Sequence, residues 1–575
     1  MKDLSYYQLR AHLFHREADL RVHFKLHELE PIWFCTIKNI KRKLKRFSEL
    51  GLIEYFPGKG RGNSSQIHFY RSFQSEVEEL VTNLVQRDQL DDLFQLMQYP
   101  IPKSWFSNAR LEIEKLFGHH IHTDNRDSLR VIITRDITTL DPVYTSVSFE
   151  SSLLKHLGDT LTVYDSSVDE VRPHLAHHWE LGEDEKTWTF YLRKGVMFHH
   201  QRIMTSQDVK YSFERFNQPT QPYYWLVQDI QEIYCPTRYV IQFRLKKPNS
   251  FFLRYISIPN LSILPGDVPF DEYQWIGTGP FKLKERTGKK FVLEAFDYYF
   301  SERPFIDEIE FWRVPREDFQ VETFHIVQSE DHSELNALKR NETGFRFLAF
   351  NFNKQNAIQQ HAFRQAIYHL LDMQEMWNDL GRVDLVEATS FFLEKSVPKK
   401  KLSYLIKANL DESGYQGEPL NLYIPDSPIV REECTWLQNK ARLYGLQLNL
   451  KEFKMGDLYS SKLQEDADLL SLGEVASEDT HLSFIGAFLN ESLIFRRFFP
   501  KKQLRTIEMY LEEMKREKTI HAREKWIDRV EDIIRDEHLL IFTHHPFRNR
   551  MFHPMIKDVH YQLYGHVDLR KLWIQ

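Results

Sequence analysis

The chain has 575 residues and a formal net charge of −6, with 42% hydrophobic and 27% charged side chains. A single hydrophobic core is unfavourable at this length, so we expect three or more folding units. No apolar run approaches the roughly 20 residues that cross a bilayer, which excludes membrane insertion. The N-terminal stretch carries Lys2, Asp3 and Arg10 and lacks the apolar centre of a signal peptide, so we expect a cytoplasmic protein.

The sequence predicts neither an enzyme nor a cofactor. It contains no G-x-S-x-G, H-E-x-x-H or G-x-x-x-x-G-K-S/T motif, the patterns that carry several common hydrolytic and phosphate-binding chemistries. Cys35, Cys235 and Cys434 are too far apart to form a metal or redox pattern and are expected to be buried packing residues. The segment His119-His120-Ile121-His122 has no second cluster to complete a metal site, so a polar linker is the favoured interpretation.

The charge is distributed unevenly along the chain. Residues 1–72 contain 14 Lys and Arg against 7 Asp and Glu, a balance of +7 that leaves about −13 on the remaining residues. A basic N-terminal region on an acidic body indicates a polyanionic partner at that end.

Three helices are predicted before residue 51. Leu9 and Leu13 indicate a first helix over 6–16, and a short second helix covers 25–30. Thr36 is a good N-cap for the third helix, and Gly51 stands where a glycine commonly ends one. On the third helix the apolar and basic residues fall on opposite faces: Ile37, Ile40, Leu44 and Phe47 against Lys38, Lys41, Arg42 and Lys45. Two strands, over 52–56 and 66–70, follow and are joined by the glycine-rich loop 57–65.

This order is that of a winged helix-turn-helix domain, whose third helix enters the major groove of DNA. A basic helix face is often only a solvated surface. Here it lies on the capped third helix beside a basic wing, so we predict double-stranded DNA as a partner. Asn39 and Arg42 are suited to base edges, and Lys41, Lys45, Lys59 and Arg61 to phosphates. The predicted DNA-binding residues are Thr36, Lys38, Asn39, Lys41, Arg42, Lys45, Lys59 and Arg61.

A helical connector is predicted over 73–126. Apolar residues at helical spacing mark a helix over 77–85, another over 90–97 and a third from Trp105 to Phe117 after the break at 100–102. The connector therefore has apolar surface with which to pack on a neighbour.

The most specific pattern in the chain runs from Pro173 to Phe216. Trp188, Phe190 and Leu192 alternate with more polar residues, which is typical of a half-buried strand. Lys194-Gly195 supplies a turn, and Thr205-Ser206-Gln207-Asp208 is close to a capping box. We expect a helix to begin near Ser206.

This stretch resembles the signature of the oligopeptide and dipeptide solute-binding proteins, P-x-L-A-x-x-W-E, T-W-T-F-x-L-R-x-G-V-x-F-H and T-A-x-D-V-x-Y-S-x-x-R. The matches are Pro173, Leu175, Ala176, Trp179, Glu180, Trp188 to Phe190, Leu192, Arg193, Gly195, Val196, Phe198, His199, Thr205, Asp208, Val209, Tyr211, Ser212 and Arg215. At Gln201-Arg202 the family has a glycine turn, so this loop must close differently. The segment 276–281 is similar to the family's G-T-G-P-Y turn, for which we expect Gly277 and Gly279 to have positive φ.

The whole chain resembles the SgrR-type transcriptional regulators, which join a winged-helix head to a solute-binding body. The head similarity lies in Thr36, Leu50-Gly51-Leu52 and Gly60-Arg61-Gly62, and the C-terminal one in His544-His545 and 563–573. The resemblance implies a multidomain chain with a two-lobed α/β body like that of periplasmic binding proteins. The predicted units are the head 1–72, the connector 73–126, lobe I over 127–347 and 539–575, and lobe II over 348–538. Two chain crossings between the lobes imply a hinge.

The predicted ligand lies between the lobes. Peptide binders of the family commonly have G-W-x-x-D after the strand at Asp468, whereas this chain has Glu474 at the tryptophan position and Ser477 at the aspartate position. An exposed acidic loop is the favoured interpretation of this segment. The candidate ligand-binding residues are Glu474, Ser477 and Glu478. The family resemblance implies a sugar or sugar phosphate as the solute sensed, and a peptide remains open. The alternative function is a solute-binding protein of an ABC transporter that acts in peptide transport.

Overall fold

The computed structural model describes residues 4–58, 64–102, 104–106, 116–121, 126–133, 135–314, 336–341, 344–382, 385–458, 460–552, 556–559 and 567–574. The predicted wing residues Lys59 and Arg61, and 107–115 of the predicted third connector helix, lie outside these residues.

The head is a three-helix, three-stranded unit. Its elements are α1 (Leu4–Leu13), β1 (Arg21–Phe24), α2 (Glu30–Trp33), α3 (Ile37–Glu49), β2 (Ile53–Phe56) and β3 (Ser65–Phe69). The strands pair in the order β1-β3-β2, so the two predicted strands are confirmed and β1 joins them. Ile40, Leu44 and Phe47 of α3 are fully buried because their three-to-four spacing places them on one face. Gly51, with φ of +69°, follows the end of α3 as predicted.

The connector begins with α4 (Phe73–Gln86) and α5 (Leu90–Met97). It ends earlier than predicted, because β4 (Gly118–Ile121) pairs with β5 (Asp127–Ile133) at the edge of a first-lobe sheet. The predicted polar linker at 119–121 is therefore wrong: these residues form an edge strand of the body.

Among the described residues, the first lobe contains two large sheets and one two-stranded hairpin. After β4 and β5 its elements are α6 (Ser148–Leu157), β6 (Thr162–Asp165), β7 (Glu170–Pro173), β8 (Ala176–Leu181), β9 (Thr187–Leu192), α7 (Ser206–Glu214), β10 (Ile230–Thr237), β11 (Val240–Leu245), α8 (Phe252–Tyr255), β12 (Phe281–Arg286), β13 (Lys290–Ala295) and β14 (Glu308–Arg313). One sheet has the order β12-β13-β14-β5-β4 and the other β10-β11-β9-β8.

The signature stretch folds as predicted in its main elements. Trp188, Phe190 and Leu192 are buried on one face of β9, and α7 begins at Ser206 with the capping box between Thr205 and Asp208. The departure at Gln201 is accommodated because this residue itself adopts a φ of +67°, the conformation that glycine takes elsewhere.

Gly277 and Gly279 have a different role from the one predicted. Neither has positive φ among the described glycines, so that prediction is wrong. A Cβ on Gly279 would lie 2.5 Å from the carbonyl oxygen of His156. Glycine is required here because the loop packs directly on the backbone at the end of α6.

The second lobe is built on one mixed sheet. The elements that follow in the chain are β15 (Asn336–Asn341), β16 (Gly344–Phe350), α9 (His361–Leu370), α10 (Met373–Asp379), β17 (Val386–Glu387), α11 (Tyr404–Glu412), β18 (Leu420–Pro425), α12 (Pro428–Leu443), β19 (Leu448–Phe453), α13 (Ser461–Asp466), β20 (Leu469–Val475), α14 (Thr480–Leu489), α15 (Ile494–Phe498), α16 (Lys501–Arg516), α17 (Ile520–Asp536), β21 (Leu540–Phe542), β22 (His544–His545), β23 (Phe547–Phe552), β24 (Ile556–Lys557) and β25 (Trp573–Ile574). The last two pair with each other, and Ile574 of β25 packs against the first-lobe core. The main sheet has the order β19-β18-β20-β16-β21.

Two faces of this sheet carry separate cores. Leu348 and Phe350 of β16 pack with residues of α9 to α12. Phe345 and Phe347 pack on the opposite face with residues of α14 to α17. This alternation follows from the two-residue period of a strand.

The predicted lobe boundaries need correction. A boundary after residue 347 divides β16, which lies wholly in the second-lobe sheet. Residues 540–542 do not return to the first lobe, since β21 pairs with Phe347 to Ala349 of β16. The described strand β14 belongs to the first lobe and β16 to the second. β22 still pairs with β17 of the second lobe, so the return to the first lobe follows residue 545, after which β23 pairs with β15. Val567, Leu569 and Leu572 then pack into the first-lobe core.

Candidate ligand cavity and DNA-binding face

The exposed face of α3 carries the predicted DNA-binding side chains. Thr36 occupies the N-cap position with extended backbone, although its side chain accepts no capping hydrogen bond. Lys38, Lys41, Arg42 and Lys45 are exposed and Asn39 is half-buried. Lys45 lies 3.7 Å from Glu49, so part of its charge is balanced within the helix. The structure therefore presents a continuous cationic face, while its binding role stays a prediction.

A buried arginine ties the head to the connector. The side chain of Arg10 is fully buried, and it donates to Glu17 at 2.7 Å and to Glu76 at 3.0 Å. Its guanidinium also donates to the carbonyl of Arg71 at 2.7 Å. Because Glu76 belongs to α4, this ion pair links α4 to the centre of the head.

The connector is in turn packed on the first lobe. Arg130 of β5 donates to both carboxylate oxygens of Asp88 at 2.6 and 2.9 Å. The rings of Phe94 on α5 and Trp312 on β14 are 5.5 Å apart. The apolar core of the head continues through the connector to Ile132 and Trp312, so the head, connector and first lobe form one packed unit.

A cavity of about 880 Å³ lies between the lobes, within the roughly 300–1,000 Å³ typical of small-molecule sites. The first lobe contributes residues near α6 and the β6–β7 hairpin, and the second contributes β16, β20 and the starts of α12 and α14. All three candidate ligand-binding residues, Glu474, Ser477 and Glu478, line it. The sequence thus led to residues that share one cavity, and their role in binding stays a prediction.

Two of these three residues already have partners. Glu478 lies 3.7 Å from Lys155 of α6, across the cleft. The hydroxyl of Ser477 is 2.6 Å from that of Ser483 on α14. Both side chains therefore shape the wall of the cavity in its present state.

Glu474 differs from both of them. The sequence favoured an exposed acidic loop here, but Glu474 is half-buried in β20, because this strand continues its pairing with β16 to residue 475. Its carboxyl has no hydrogen bond or ion pair with any part of the chain that the structure describes. Burial raises the pKa of Glu474 to about 8, so the carboxyl is mostly neutral at pH 7 in the absence of a cation.

Arg346 was missed by the sequence analysis. It lies directly opposite Gly473 in the β16–β20 ladder and lines the cavity. Its guanidinium occupies the space that a Cβ at residue 473 would need. A lone arginine within the apolar strand Gly344–Phe350 was the signal that could have identified it, because a charged residue in a central strand is rarely there for packing alone.

An ion cluster joins the lobes beside the cavity. Asp169, in the turn between β6 and β7, accepts hydrogen bonds from Arg254 of α8, from Arg523 of α17 at 2.5 Å and from Tyr164 at 2.7 Å. Arg254 also donates to Asp479 at 2.9 and 3.0 Å. Burial opposes ionisation of Asp169, but the hydrogen bonds from Arg254, Tyr164 and Arg523 outweigh it and lower its pKa. This interlobe cluster holds the two lobes together.

The C-terminal segment completes one end of the cavity. Arg570 lines it and donates to Asp568 at 2.9 Å. Burial opposes ionisation of Asp568, but the hydrogen bond and charge of Arg570 lower its pKa to about 2. Nearby, Asp159 accepts from Tyr299 at 3.1 Å and lies 2.8 Å from His174.

The described ranges given above meet the requirements neither of a membrane-spanning helix nor of a metal site. No helix there has the length and apolarity that a bilayer crossing requires. No three His, Cys, Asp or Glu side chains in those ranges are grouped as metal ligands.

Two family models match different parts of the chain. The model described as "Sugar transport-related sRNA regulator N-term" matches residues 3–111, the head and connector. The model described as "Bacterial extracellular solute-binding proteins, family 5 Middle" matches residues 170–493.

Curated relatives are similar over larger stretches of the chain than either family model. The "Uncharacterized protein YhjP" of Bacillus subtilis is 28% identical over 491 residues, covering 83% of each chain. The "HTH-type transcriptional regulator SgrR" of Photorhabdus laumondii is 28% identical over 331 residues, 56% of this chain and 57% of that protein. The SgrR of Pectobacterium atrosepticum is 27% identical over 57% of each chain. This chain thus spans just over half the length of these regulators.

Solved structures share the fold of the body. A dipeptide-binding protein from Pseudoalteromonas sp. SM9913 in complex with Met-Leu has a TM-score of 0.67 at 18% identity, covering 78% of this chain and all of that one. The oligopeptide-binding protein AppA of Bacillus subtilis has a TM-score of 0.65 at 16% identity, covering 78% and 99%. These neighbours confirm the predicted two-lobed body. Because the solute-binding model matches more than half of its length, the chain belongs to family 5 of the bacterial extracellular solute-binding proteins.

Proposed function

We propose that this protein is a one-component transcriptional regulator of the cytoplasm, which binds double-stranded DNA through its head and a small polar solute between its lobes. It acts by binding rather than by catalysis. The observation that carries the proposal is the continuous core that joins the cationic head to the first lobe. A flexible tether would let the head ignore the lobes, whereas packed helices can transmit a rearrangement.

DNA binding rests on the exposed cationic face of α3. Lys38, Lys41 and Arg42 project from one side of the helix, as required for a helix that enters a major groove. The match of residues 3–111 to the family model of a regulator also supports DNA binding by the head. We propose that Arg42 contacts bases and that the lysines contact phosphates, each releasing counterions.

Solute sensing rests on the contacts between the lobes. A solute can favour the closed state only if it binds that state more tightly than the open one. Here the two lobes share the cavity wall and the interlobe cluster, so a bound solute adds contacts that exist only when the lobes are together. Sugars, sugar phosphates and peptides are the candidate classes.

A second candidate is a binding protein that delivers a peptide to a permease. The fold neighbours solved in complex with peptides favour it. It predicts indifference to DNA, so one experiment separates the two functions.

The test is a polarisation titration of the full chain with labelled duplexes enriched from a random-sequence pool. The affinity should fall with salt, with a log–log slope of about −0.9 per phosphate contacted. Lys41→Ala should weaken binding to all duplexes and reduce the slope by about 1. Lys407→Ala is the matched control, because Lys407 is equally exposed but lies on α11. Binding that is absent, or that is unaffected by salt and by Lys41→Ala, would contradict the regulator function.

A further inference from the structure

The charged side chains around the cavity are mostly paired with each other. The pairs are Arg135 with Glu150 at 2.6 Å, Arg172 with Asp165 at 2.7 Å, Lys155 with Glu478 at 3.7 Å, Arg570 with Asp568 at 2.9 Å and Arg254 with Asp479 at 2.9 Å. Lys571 has no such partner among the described residues, but it is exposed to solvent. Within the described ranges, Arg346 and Glu474 are the two half-buried charged groups of the wall that form neither an ion pair nor a side-chain hydrogen bond.

The side chains of Arg346 and Glu474 project from opposite faces of the sheet at adjacent positions. Arg346 lies opposite Gly473 and Glu474 is the next residue of β20, so their side chains alternate across the sheet. The guanidinium of Arg346 lies over Gly473, where any larger residue would displace it. The cationic group of Arg346 therefore lies over Gly473, and the carboxyl of Glu474 belongs to the next residue of the same strand.

The cavity extends around this end of β20. On the face of Arg346 it is lined by Ser427 and Val430, at the start of α12. On the face of Glu474 it is lined by Ala487 and Asn490, at the end of α14. One solute can therefore reach both side chains by lying across the strand end.

We propose that the solute carries an anionic group, which binds Arg346, and an ammonium group, which binds Glu474. This inference rests on the proposed function of the cavity as a solute site. A carboxylate or phosphate fits the planar donors of a guanidinium, and an ammonium fits the unpartnered carboxyl. Peptides and amino sugar phosphates share this chemistry, whereas sugars lack both charges and simple sugar phosphates lack the ammonium.

The environment of Glu474 makes the proposal measurable. Tyr223 faces it from the first lobe, Arg346 lies on the adjacent strand, and the Lys155–Glu478 pair lies farther along the wall. Burial holds the pKa of Glu474 at about 8, so an ammonium that lowers this pKa must release a proton at pH 7. A neutral ligand would release none.

The experiment is isothermal titration calorimetry of the full chain at pH 7 in buffers of different ionisation enthalpy. The probes are alanyl-alanine, glucosamine 6-phosphate, glucose 6-phosphate and glucose, and the variants are Arg346→Gln, Glu474→Gln and, as the control, Lys571→Gln. At least one of the first two probes should bind about tenfold or more tightly than the last two. Arg346→Gln and Glu474→Gln should each weaken that binding by about tenfold or more, and Lys571→Gln should not.

Proton release separates recognition from a structural effect. The unaltered chain should release close to one proton per bound solute and Glu474→Gln none. The dipeptide and the amino sugar phosphate distinguish the two sources of this chemistry. Tightest binding of glucose or glucose 6-phosphate, independent of Arg346 and Glu474, would overturn the inference but leave the cavity a solute site. Failure of every probe to bind would overturn the solute site as well.

Discussion

Removal of the Asp169 charge is the sharpest test of how the lobes are held together. Asp169→Asn keeps the shape of the side chain but removes the anion shared by Arg254 and Arg523. Arg254 keeps Asp479 as a partner. Arg523 keeps two uncharged acceptors, the carbonyl oxygen of Lys518 and the ring of His481. Burial lowers the pKa of His481 to about 4, so this ring is neutral at pH 7.

The expected cost follows from the burial of Arg523. Its side chain is 4% exposed, so the variant leaves a buried guanidinium without an anion, a change that typically costs about 3–5 kcal/mol. Asp169 is itself 21% exposed, and water reaching it reduces the loss, so we expect about 3 kcal/mol. This corresponds to a factor of roughly 100 in the equilibrium that keeps the lobes together.

The assay is urea denaturation followed by tryptophan fluorescence, together with small-angle scattering in the absence of urea. Trp225 packs near Gly486 across the lobes and reports their separation. The variant should have a lower midpoint and a larger radius of gyration. Asp165→Asn is the matched control, because Asp165 is in the same hairpin but forms a more exposed pair with Arg172.

The pH dependence has a defined sign. The pKa of Asp169 is lowered in the folded chain, so its ionised form stabilises the protein above its unfolded value of about 3.9. This contribution is lost as the pH falls below that value, and the difference between the variant and the unaltered chain should shrink there. Equal midpoints and radii for both proteins at pH 7 would refute a role of the interlobe cluster in closure.

Three other changes test separate parts of the account. Arg42→Ala should cost about 1–3 kcal/mol of DNA binding and relax sequence preference, whereas Lys45→Ala should weaken all duplexes alike; equal effects on every duplex would contradict base contact by Arg42. Arg130→Met should leave DNA affinity intact but abolish its response to solute, because Asp88, in the turn between α4 and α5, loses its bidentate contact with β5; an undiminished response would refute transmission through the connector. The C-terminal segment should detach between about pH 4 and 2. The pKa of Asp568 is lowered to about 2 in the folded chain, so its ionised carboxylate stabilises the protein above its unfolded pKa, and this stabilisation is lost as the pH falls through about 2. Unchanged Trp573 fluorescence down to pH 2 would contradict this.

Local patterns predicted the elements of the fold well. The alternation around Trp188 and the capping box at Thr205 were sufficient to place β9 and α7. The error at Glu474 arose because an acidic, small-residue segment is typical of a loop, whereas its pairing with β16 comes from a strand more than 120 residues away. Local propensity could not contain that information.

The interlobe cluster shows the same limit more strongly. Asp169 and Arg523 are 354 positions apart, and each is an ordinary charged residue in its own surroundings. Gln201 illustrates another case, since nothing about glutamine predicts a φ of +67°. In contrast, the cationic face of α3 was predictable, because a helix brings residues at three-to-four spacing together without help from distant segments.

The central claim is that solute and DNA binding are coupled, and reciprocal titration tests it most directly. DNA affinity is measured with and without saturating solute, and solute affinity with and without saturating DNA, on the full chain. Linkage requires the two ratios to be equal, with a factor of about 5–150 for a typical coupling. We predict equal ratios that differ from one in the unaltered chain. Four titrations with no change in either affinity would contradict the account, even if both ligands bind.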